Sequence, residues 1–285
     1  MGVVNWATSP WGQRVPQHIA WFLIWGAAIA GLFFLIVHAI YVRYWAEPEV
    51  FANPPSPEVA ARVPARVPRH SLVARAFHWI MAASMLTLLF TGFLPRVGMR
   101  FNWVAYHWIA GLVLTISVLF HIVHATFWLD FWSIWPDRED MKDAAKRMQR
   151  FMGRPAPPPR RFPKYPLENK LYHGAIMLAG LSVILTGVLM MFRVRTGLFP
   201  RNPYLFGDMT WGLMYVLHGL AGVGLIGLIM VHIYFAVRPE KLEITKSMIV
   251  GSMQREYYLE HYDPQRWPVE ASASSSDPGG KSKDV

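Results

Sequence analysis

Two histidines, His218 and His232, stand fourteen positions apart at the two ends of the run HGLAGVGLIGLIMVH, in which every other residue is apolar or glycine. An imidazole nitrogen in hydrocarbon needs a polar or metal partner, so each of these rings requires one. Fourteen helical residues rise about 21 Å and leave the two side chains only about 40° apart in azimuth. The rings therefore share one helix face at two depths, where imidazole could bind the metal of a cofactor.

The elements that position these histidines are membrane spans. The chain is 53% hydrophobic and only 16% charged, and it alternates apolar blocks with basic loops, which is typical of a membrane protein. It contains no cysteine, which excludes disulfides, iron–sulfur clusters and thiolate-bound zinc or haem held by this chain alone. We predict five spans, at about 18–42, 72–94, 103–128, 170–192 and 210–237.

The spans divide the chain into three regions. Residues 1–68 are predicted to form an additional N-terminal transmembrane helix and a proline-rich cytoplasmic linker. Residues 69–267 form the main four-span domain, with a cytoplasmic insertion at 130–168 that contains a short surface helix and a proline-stiffened connector. Residues 268–285 are predicted to form a disordered tail. We identify no internal repeat from the sequence.

The basic residues predict the orientation in the membrane. Of the 28 Lys and Arg residues, 22 lie on the side that contains the C-terminus and six on the side that contains the N-terminus. The excess of positive charge marks the cytoplasmic side, so the N-terminus is expected in the periplasm and the C-terminus in the cytoplasm. The net charge of +10 then reflects topology and contact with anionic lipid, and nucleic acid is not an expected partner.

With this orientation, four histidines form two level pairs. His107 and His218 begin spans that start outside, whereas His78 and His232 lie near the inner surface. Each pair could clamp a planar iron porphyrin between helices, which predicts two bis-histidine b haems. A lone intramembrane histidine is more often a structural residue, but four that pair by depth favour the haem interpretation.

Two glycines agree with this interpretation. Gly111 follows His107 by four residues and Gly222 follows His218 by four, so each lies one turn along on the face of its histidine. A residue without a side chain lets a porphyrin approach the backbone, although small residues also serve ordinary helix packing in membranes. The predicted haem packing by Gly111 and Gly222 therefore adds little independent support.

The chain resembles the cytochrome b, or gamma, subunit of membrane-bound formate dehydrogenases and the wider group that includes the cytochromes b of nickel–iron hydrogenases and thiosulfate reductases. The resemblance covers about 69–267 and rests on RAFHWIMAASMLTLLFTG, YHWIAGLVL, ENKLYHGAIMLAGLSVILTGVLMMFR, LHGLAGVGLIGLIMVHIYFAV and MIVGSMQREYYLEHYDPQRW. It implies a periplasmic-side haem on His107 and His218 and a cytoplasmic-side haem on His78 and His232. It also implies quinone reduction near the start of span four, where Asn169 and Lys170 match polar and basic positions of the quinone site. Another polar position of that site is Pro166 here.

Several features depart from that family. The first span is additional; it could replace a membrane helix of an iron–sulfur partner, or it could be an unrelated anchor. The histidines at 70, 121, 124 and 173 are also additional, and all lie near the inner surface. His121 repeats the fourteen-residue spacing after His107 and so competes with His78 as the partner of His232. His173 or His124 could relay protons to quinone, because imidazole titrates near neutral pH.

The sequence thus predicts an all-α membrane protein of the bacterial inner membrane, a four-helix haem-binding bundle with one extra helix, that conducts electrons. The expected partners are an iron–sulfur or cytochrome c subunit, a catalytic oxidoreductase subunit, quinone and membrane lipids, and no substrate-specific catalysis is expected from this chain alone. Two alternatives remain, a stand-alone two-haem electron-transfer protein and a haem-free anchor subunit. A transporter is disfavoured because the spans carry almost no Asp, Glu or Lys at the midplane.

Overall fold

The computed structural model describes residues 2–46, 50–52 and 54–269 of the chain, which are mainly helical. The helices are α1 (Phe22–Tyr44), α2 (Pro57–Arg62), α3 (Leu72–Phe93), α4 (Trp103–Trp128), α5 (Arg138–Phe151), α6 (Leu167–Met190), α7 (Asp208–Val237), α8 (Leu242–Val250) and α9 (Arg255–His261). Short strands form two antiparallel ladders, β1 (Val4–Thr8) with β2 (Arg14–Ile19), and β3 (Arg66–Pro68) with β4 (Ser252–Gln254).

The five predicted spans are confirmed. Among the described residues, five helices are long and apolar enough to cross a membrane, and their bounds are Phe22–Tyr44, Leu72–Val97, Trp103–Trp128, Leu167–Arg193 and Asp208–Val237. The span at 103–128 agrees residue for residue, and the others differ by a few residues at their ends. The sidedness of the termini stays a prediction from the distribution of Lys and Arg.

The chain divides into two compact units. The first comprises residues 2–45, 77–121 and 174–234, and the second comprises the described residues of 46–76, 122–173 and 235–269. In the first unit, α3, α4, α6 and α7 share a core around Met85, Leu114 and Leu225, to which each of the four helices contributes apolar side chains. This core is the predicted four-helix bundle.

The additional helix α1 packs on α7 within the first unit. Gly31 is buried there, and a methyl group added to it would lie 3.1 Å from the side chain of Met230. Near the other end of the contact, Nδ1 of His38 lies 3.0 Å from the hydroxyl of Tyr234. Close approach at a small residue together with a polar pair is how membrane helices associate, so α1 is an integral neighbour of α7.

The residues before α1 form a β-hairpin that the sequence analysis did not predict. The expected first span begins at residue 18, but His18 and Ile19 belong to β2 and the helix begins at Phe22. The turn between the strands contains Pro10 and Gly12, and Gly12 has a φ of 80°, which glycine adopts without steric cost. A proline and a glycine between two short runs of strand formers were the available signal.

The hairpin packs on the start of α7 at Gly212. This glycine is buried, and a methyl group added there would overlap the carbonyl oxygen of Pro16 in β2. The Gly212→Ala variant is therefore expected to push the hairpin off α7, at a cost of about 1–3 kcal/mol. The measurement is the thermal unfolding midpoint of the purified chain, together with proteolysis before residue 22.

Gly224→Ala is the matched control on the same helix, because a methyl group added at Gly224 meets no atom within 4 Å. It is expected to leave the unfolding midpoint unchanged or slightly higher, since alanine favours helix over glycine. Equal midpoints for Gly212→Ala and Gly224→Ala would contradict the packing described for the hairpin.

The second unit contains a small core of its own. β3 and β4 pair through Val67 and Met253, both fully buried, and Tyr258, Tyr262 and Trp267 pack around them. The hydroxyl of Tyr258 donates a hydrogen bond to the carbonyl of Trp267, and burial raises the pKa of Tyr258 to about 12. The linker after α1 and the residues after α7 therefore fold together, which spacing along the chain did not predict.

The insertion between α4 and α6 belongs to this second unit. The predicted surface helix is confirmed as α5, which begins with a capping box between Asp137 and Asp140. The proline-rich segment after α5 has no helix, as expected, but it is tied down at Phe162, which lies in the small core and exchanges backbone hydrogen bonds with His261 and Asp263. Residues 270–285 of the predicted disordered tail lie outside the described residues.

Candidate haem sites

Within the four-helix bundle, two histidine pairs face each other across neighbouring helices. The ring centroids of His107 in α4 and His218 in α7 are 6.2 Å apart, with an angle of 63° between the ring planes. The ring centroids of His78 in α3 and His232 in α7 are also 6.2 Å apart, at 51°. The structure thus brings together the two pairs that depth along the spans had suggested.

The separation of the rings fits a metal ion between them. Metal–imidazole bonds are about 2 Å long, so an ion bound by one nitrogen from each ring requires centroids roughly 6 Å apart. None of the four histidines is fully buried, and His232 is exposed. The residues present therefore fit a haem with two axial histidines at each pair.

Two threonines hold the rings of the His107–His218 pair. Oγ1 of Thr91 lies 2.8 Å from Nδ1 of His107, and Oγ1 of Thr186 lies 2.9 Å from Nδ1 of His218. Each hydroxyl donates to a carbonyl one turn back in its own helix, at 2.6 Å, and therefore accepts from the imidazole N–H. With Nδ1 protonated, Nε2 of each ring keeps its lone pair for iron.

The glycine after each threonine makes room for the same ring. A methyl group added at Gly92 would lie 3.6 Å from Cε1 of His107, and one added at Gly187 would lie 3.3 Å from Cε1 of His218. The predicted packing glycines, Gly111 and Gly222, instead have Leu88 and Phe93 as their nearest neighbours, at 3.8 and 3.7 Å. The glycines closest to the imidazoles are therefore those of the two Thr-Gly pairs.

The two Thr-Gly pairs belong to a repeat that the sequence analysis missed. In the first helix of each half of the bundle, a histidine precedes a Thr-Gly pair by thirteen residues. The next long helix carries a second histidine, with a glycine four residues after it and a third histidine fourteen residues after it. The repeat runs through His78, Thr91, Gly92, His107, Gly111 and His121, and through His173, Thr186, Gly187, His218, Gly222 and His232. The matching hydrogen bonds of Thr91 and Thr186 show that the two halves use the Thr-Gly pair in the same way.

His121, the possible rival of His78, contacts Phe77. Its ring stacks on Phe77, with centroids 4.2 Å apart and an interplanar angle of 7°. The ring that faces His232 is that of His78. The geometry therefore favours His78 over His121 as the partner of His232.

The quinone-site candidates lie in the second unit at the start of α6 and the end of α4. Asn169 is exposed and His173 is half-buried, whereas the ring of His124 lies beside that of Trp128. Lys170 is buried, and its ammonium lies 2.6 Å from a carboxylate oxygen of Asp140 in α5. A lysine engaged in this way anchors α5, a role that its position in the sequence does not indicate.

The ion pair belongs to a buried charged cluster. Asp140 and Asp143 are both buried, and Arg266 lies 3.3 Å from a carboxylate oxygen of each. Burial alone would raise the pKa of Asp143, but hydrogen bonds from Arg160 and Lys146 bring that pKa below the usual range of an aspartate. The cluster ties α5, the proline-rich segment and the residues after α9 into one folded unit.

Thr186→Val is expected to disturb the His107–His218 site without removing a ligand. Without an acceptor for its Nδ1–H, the ring of His218 is less firmly oriented and less basic. We therefore expect haem at this site to dissociate about 10–100-fold faster and its midpoint potential to rise. Haem transfer to apomyoglobin and a redox titration measure the two effects.

Thr115→Val is the matched control, because Thr115 makes the same bond to a carbonyl of its own helix, at 2.7 Å to Gly111. It is expected to leave both the dissociation rate and the potential unchanged. Identical behaviour of Thr186→Val and Thr115→Val would remove Thr186 from the site.

Together, the apolar helical bundle and its facing imidazoles define a membrane-bound b-type cytochrome. Comparison with known families agrees: the model of the prokaryotic cytochrome b561 family matches residues 69–251, and the chain belongs to that family. A comparison with curated proteins finds no match. The protein is therefore a multi-pass electron-transfer protein of the bacterial inner membrane that uses b-type haem.

Proposed function

We propose that this chain is the cytochrome b subunit of a multisubunit respiratory oxidoreductase of the formate dehydrogenase-like group. In this proposal it passes electrons through two bis-histidine b haems between the redox centre of a periplasmic-side partner and the quinone pool. The observation that carries the proposal is the pair of ring separations, 6.2 Å at both histidine pairs. The resemblance over 69–267 supplies the partner class.

The residues at each pair favour electron transfer over chemistry at the iron. Each haem, when bound, supplies a one-electron carrier. A haem held by both histidines of a pair would have no open iron position for oxygen or substrate. At the His107–His218 pair, the hydroxyls of Thr91 and Thr186 fix the tautomer that leaves Nε2 of each ring able to bind iron. The work of these side chains is therefore to hold and tune the haem.

Quinone chemistry is proposed at the start of α6. Asn169 is exposed there and can donate to a quinone carbonyl, and His173 and His124 are the candidate proton donors on the side that carries most of the Lys and Arg residues. Lys170 remains a candidate by resemblance only, because its ammonium is bound to Asp140.

His173→Gln tests the proton relay. If His173 delivers protons to quinone, the variant is expected to lose most quinone turnover and to change its pH dependence near neutral pH, while its haem spectrum stays intact. Turnover is measured with a reduced artificial donor and a soluble quinone across pH 5–9. His70→Gln is the control, and an unchanged pH profile in His173→Gln would remove the relay.

Haem content and associated subunits test the proposed function as a whole. Pyridine haemochrome analysis of the purified chain, with reduced-minus-oxidised spectra, is expected to give two b haems per chain. Gentle purification from native membranes is expected to recover an iron–sulfur or cytochrome c subunit and a catalytic subunit. Two haems without any such subunit would favour the stand-alone electron-transfer protein, and a colourless chain would overturn both.

A further inference from the structure

Helix α5 has an exposed apolar face in addition to its buried charges. Met141, Met148 and Phe151 are 57, 56 and 69% exposed, and Met152 directly after the helix is 50% exposed. Their spacing of three, four and seven residues places them on one side of the helix. A contiguous apolar strip of this kind on a protein surface marks a site of interaction.

The ion pair between Asp140 and Lys170 fixes the depth of this helix. Lys170 lies in the first turn of α6, which is one of the five spans, and its ammonium is 2.6 Å from Asp140. The first turn of a span lies at the boundary between hydrocarbon and headgroups. α5 is therefore held at that boundary.

The apolar strip continues into apolar residues at the start of α6. Ala144, Met148 and Phe151 of α5 line a groove of about 300 Å³ together with Leu167 and Leu171 of α6, and the charged side chains of Arg147 and Glu168 border it. Leu171, in the part of α6 that belongs to the second unit, is 57% exposed. An exposed leucine in the first turns of a membrane span lies near the acyl chains, so the strip on α5 borders the same region of lipid.

The charges of α5 suit an anionic surface. The helix carries five basic and three acidic residues, and the three acidic side chains are engaged: Glu139 with Lys142, Asp140 with Lys170, and Asp143 with Arg160. The helix therefore presents net positive charge beside its apolar strip. This combination is typical of helices that lie in a membrane interface and attract anionic headgroups.

Exposed aromatic residues precede α5 at the end of α4. Phe127, Trp128 and Trp132 are 72, 62 and 76% exposed, and they lie between the last turn of a span and the start of α5. Tryptophan is enriched where a membrane protein crosses the headgroup region. This segment is a second, independent indication that the insertion rests on lipid.

We propose that α5 is an interfacial helix, with Met141, Met148 and Phe151 inserted among the acyl chains and its basic residues against anionic lipid headgroups. The inference concerns the insertion alone and does not depend on haem or quinone. In this arrangement the lipid surface holds the apolar side of α5 and the Asp140–Lys170 pair holds its buried side.

The absence of cysteine from the chain allows a direct test. We introduce one cysteine at a time, as Met148→Cys on the apolar strip or as Gln149→Cys on the exposed polar side of α5. Each cysteine is labelled with a nitroxide in the full-length chain. The labelled chains are reconstituted into phosphatidylcholine vesicles with and without phosphatidylglycerol. Electron paramagnetic resonance then compares collisions with oxygen, which concentrates in the membrane, and with a water-soluble nickel chelate.

The label at 148 is expected to give a severalfold higher ratio of oxygen to nickel collisions than the label at 149, and phosphatidylglycerol is expected to increase the difference. A label at 148 that collides with nickel as often as the label at 149 would show a water-exposed face and overturn the proposal. A label at 148 reached by neither reagent would show a protein-covered face, with the same consequence. Met141→Cys reports on the same strip if Met148→Cys does not yield a folded chain.

Discussion

His218→Leu and His232→Leu are each expected to bind one haem fewer than the parent chain, and to lose different haems. Each substitution removes one of the two imidazoles that face each other with ring centroids 6.2 Å apart. Leucine offers no ligand, so a haem at that pair would be held by one histidine only and would bind less tightly. Pyridine haemochrome content and a redox titration measure the loss, in which each variant lacks one of two midpoint potentials.

The matched controls are other histidines of the first unit. His121→Leu is expected to keep both haems, because the ring of His121 stacks on Phe77 and the ring facing His232 is that of His78. His38→Leu is expected to keep them as well, since His38 is paired with Tyr234. Loss of one haem in His121→Leu, with both retained in His78→Leu, would transfer the ligand role to His121.

The histidine pairs could be predicted from sequence because they follow from regular geometry. Once five spans are set by length and apolarity, the depth of each histidine is fixed, and a fourteen-residue spacing puts His218 and His232 on one face. No knowledge of loops or of side-chain conformation is needed. The spans and the level pairs therefore followed from apolarity, span length and helix rise.

The threonines that hold the rings were harder to find. Thr91 and Thr186 contact His107 and His218 from a neighbouring helix, and helix spacing within one segment carries no information about such contacts. The repeated Thr-Gly was visible in the sequence, but its role depends on which helices are neighbours. Comparison of the two halves of the bundle, span by span, was the signal that could have found it.

The small core of the second unit could not be derived from spacing. The strands of both ladders are short. In addition, β3 and β4 are separated in the sequence by almost all of the main domain. Pairings so distant along the chain are set by tertiary packing, and short runs such as Arg66–Pro68 have no periodicity to recognise. The buried position of Lys170 belongs to the same class, because Asp140 is thirty residues away.

Lys170→Met is expected to destabilise the second unit strongly. The side chains of Lys170 and Asp140 are 4 and 2% exposed, and removing the ammonium leaves a buried carboxylate with less compensation. Breaking a buried ion pair costs about 3–5 kcal/mol, and we expect the lower end because Arg266 still lies 3.3 Å from Asp140. The measurements are the thermal unfolding midpoint of the purified chain and the susceptibility of the segment around α5 to protease.

A double-mutant cycle separates this structural role from the quinone contact that the resemblance implies. Asp140→Asn keeps an oxygen for the capping bond from the backbone of Asp137 but removes the buried charge. If Lys170 serves mainly to neutralise Asp140, the double variant Lys170→Met with Asp140→Asn recovers much of the lost stability and a normal KM for quinone. If Lys170 contacts quinone, the double variant recovers stability but keeps a raised KM. Because the first outcome would leave any quinone recognition to neighbours such as Asn169, the cycle tests the quinone contact proposed for Lys170.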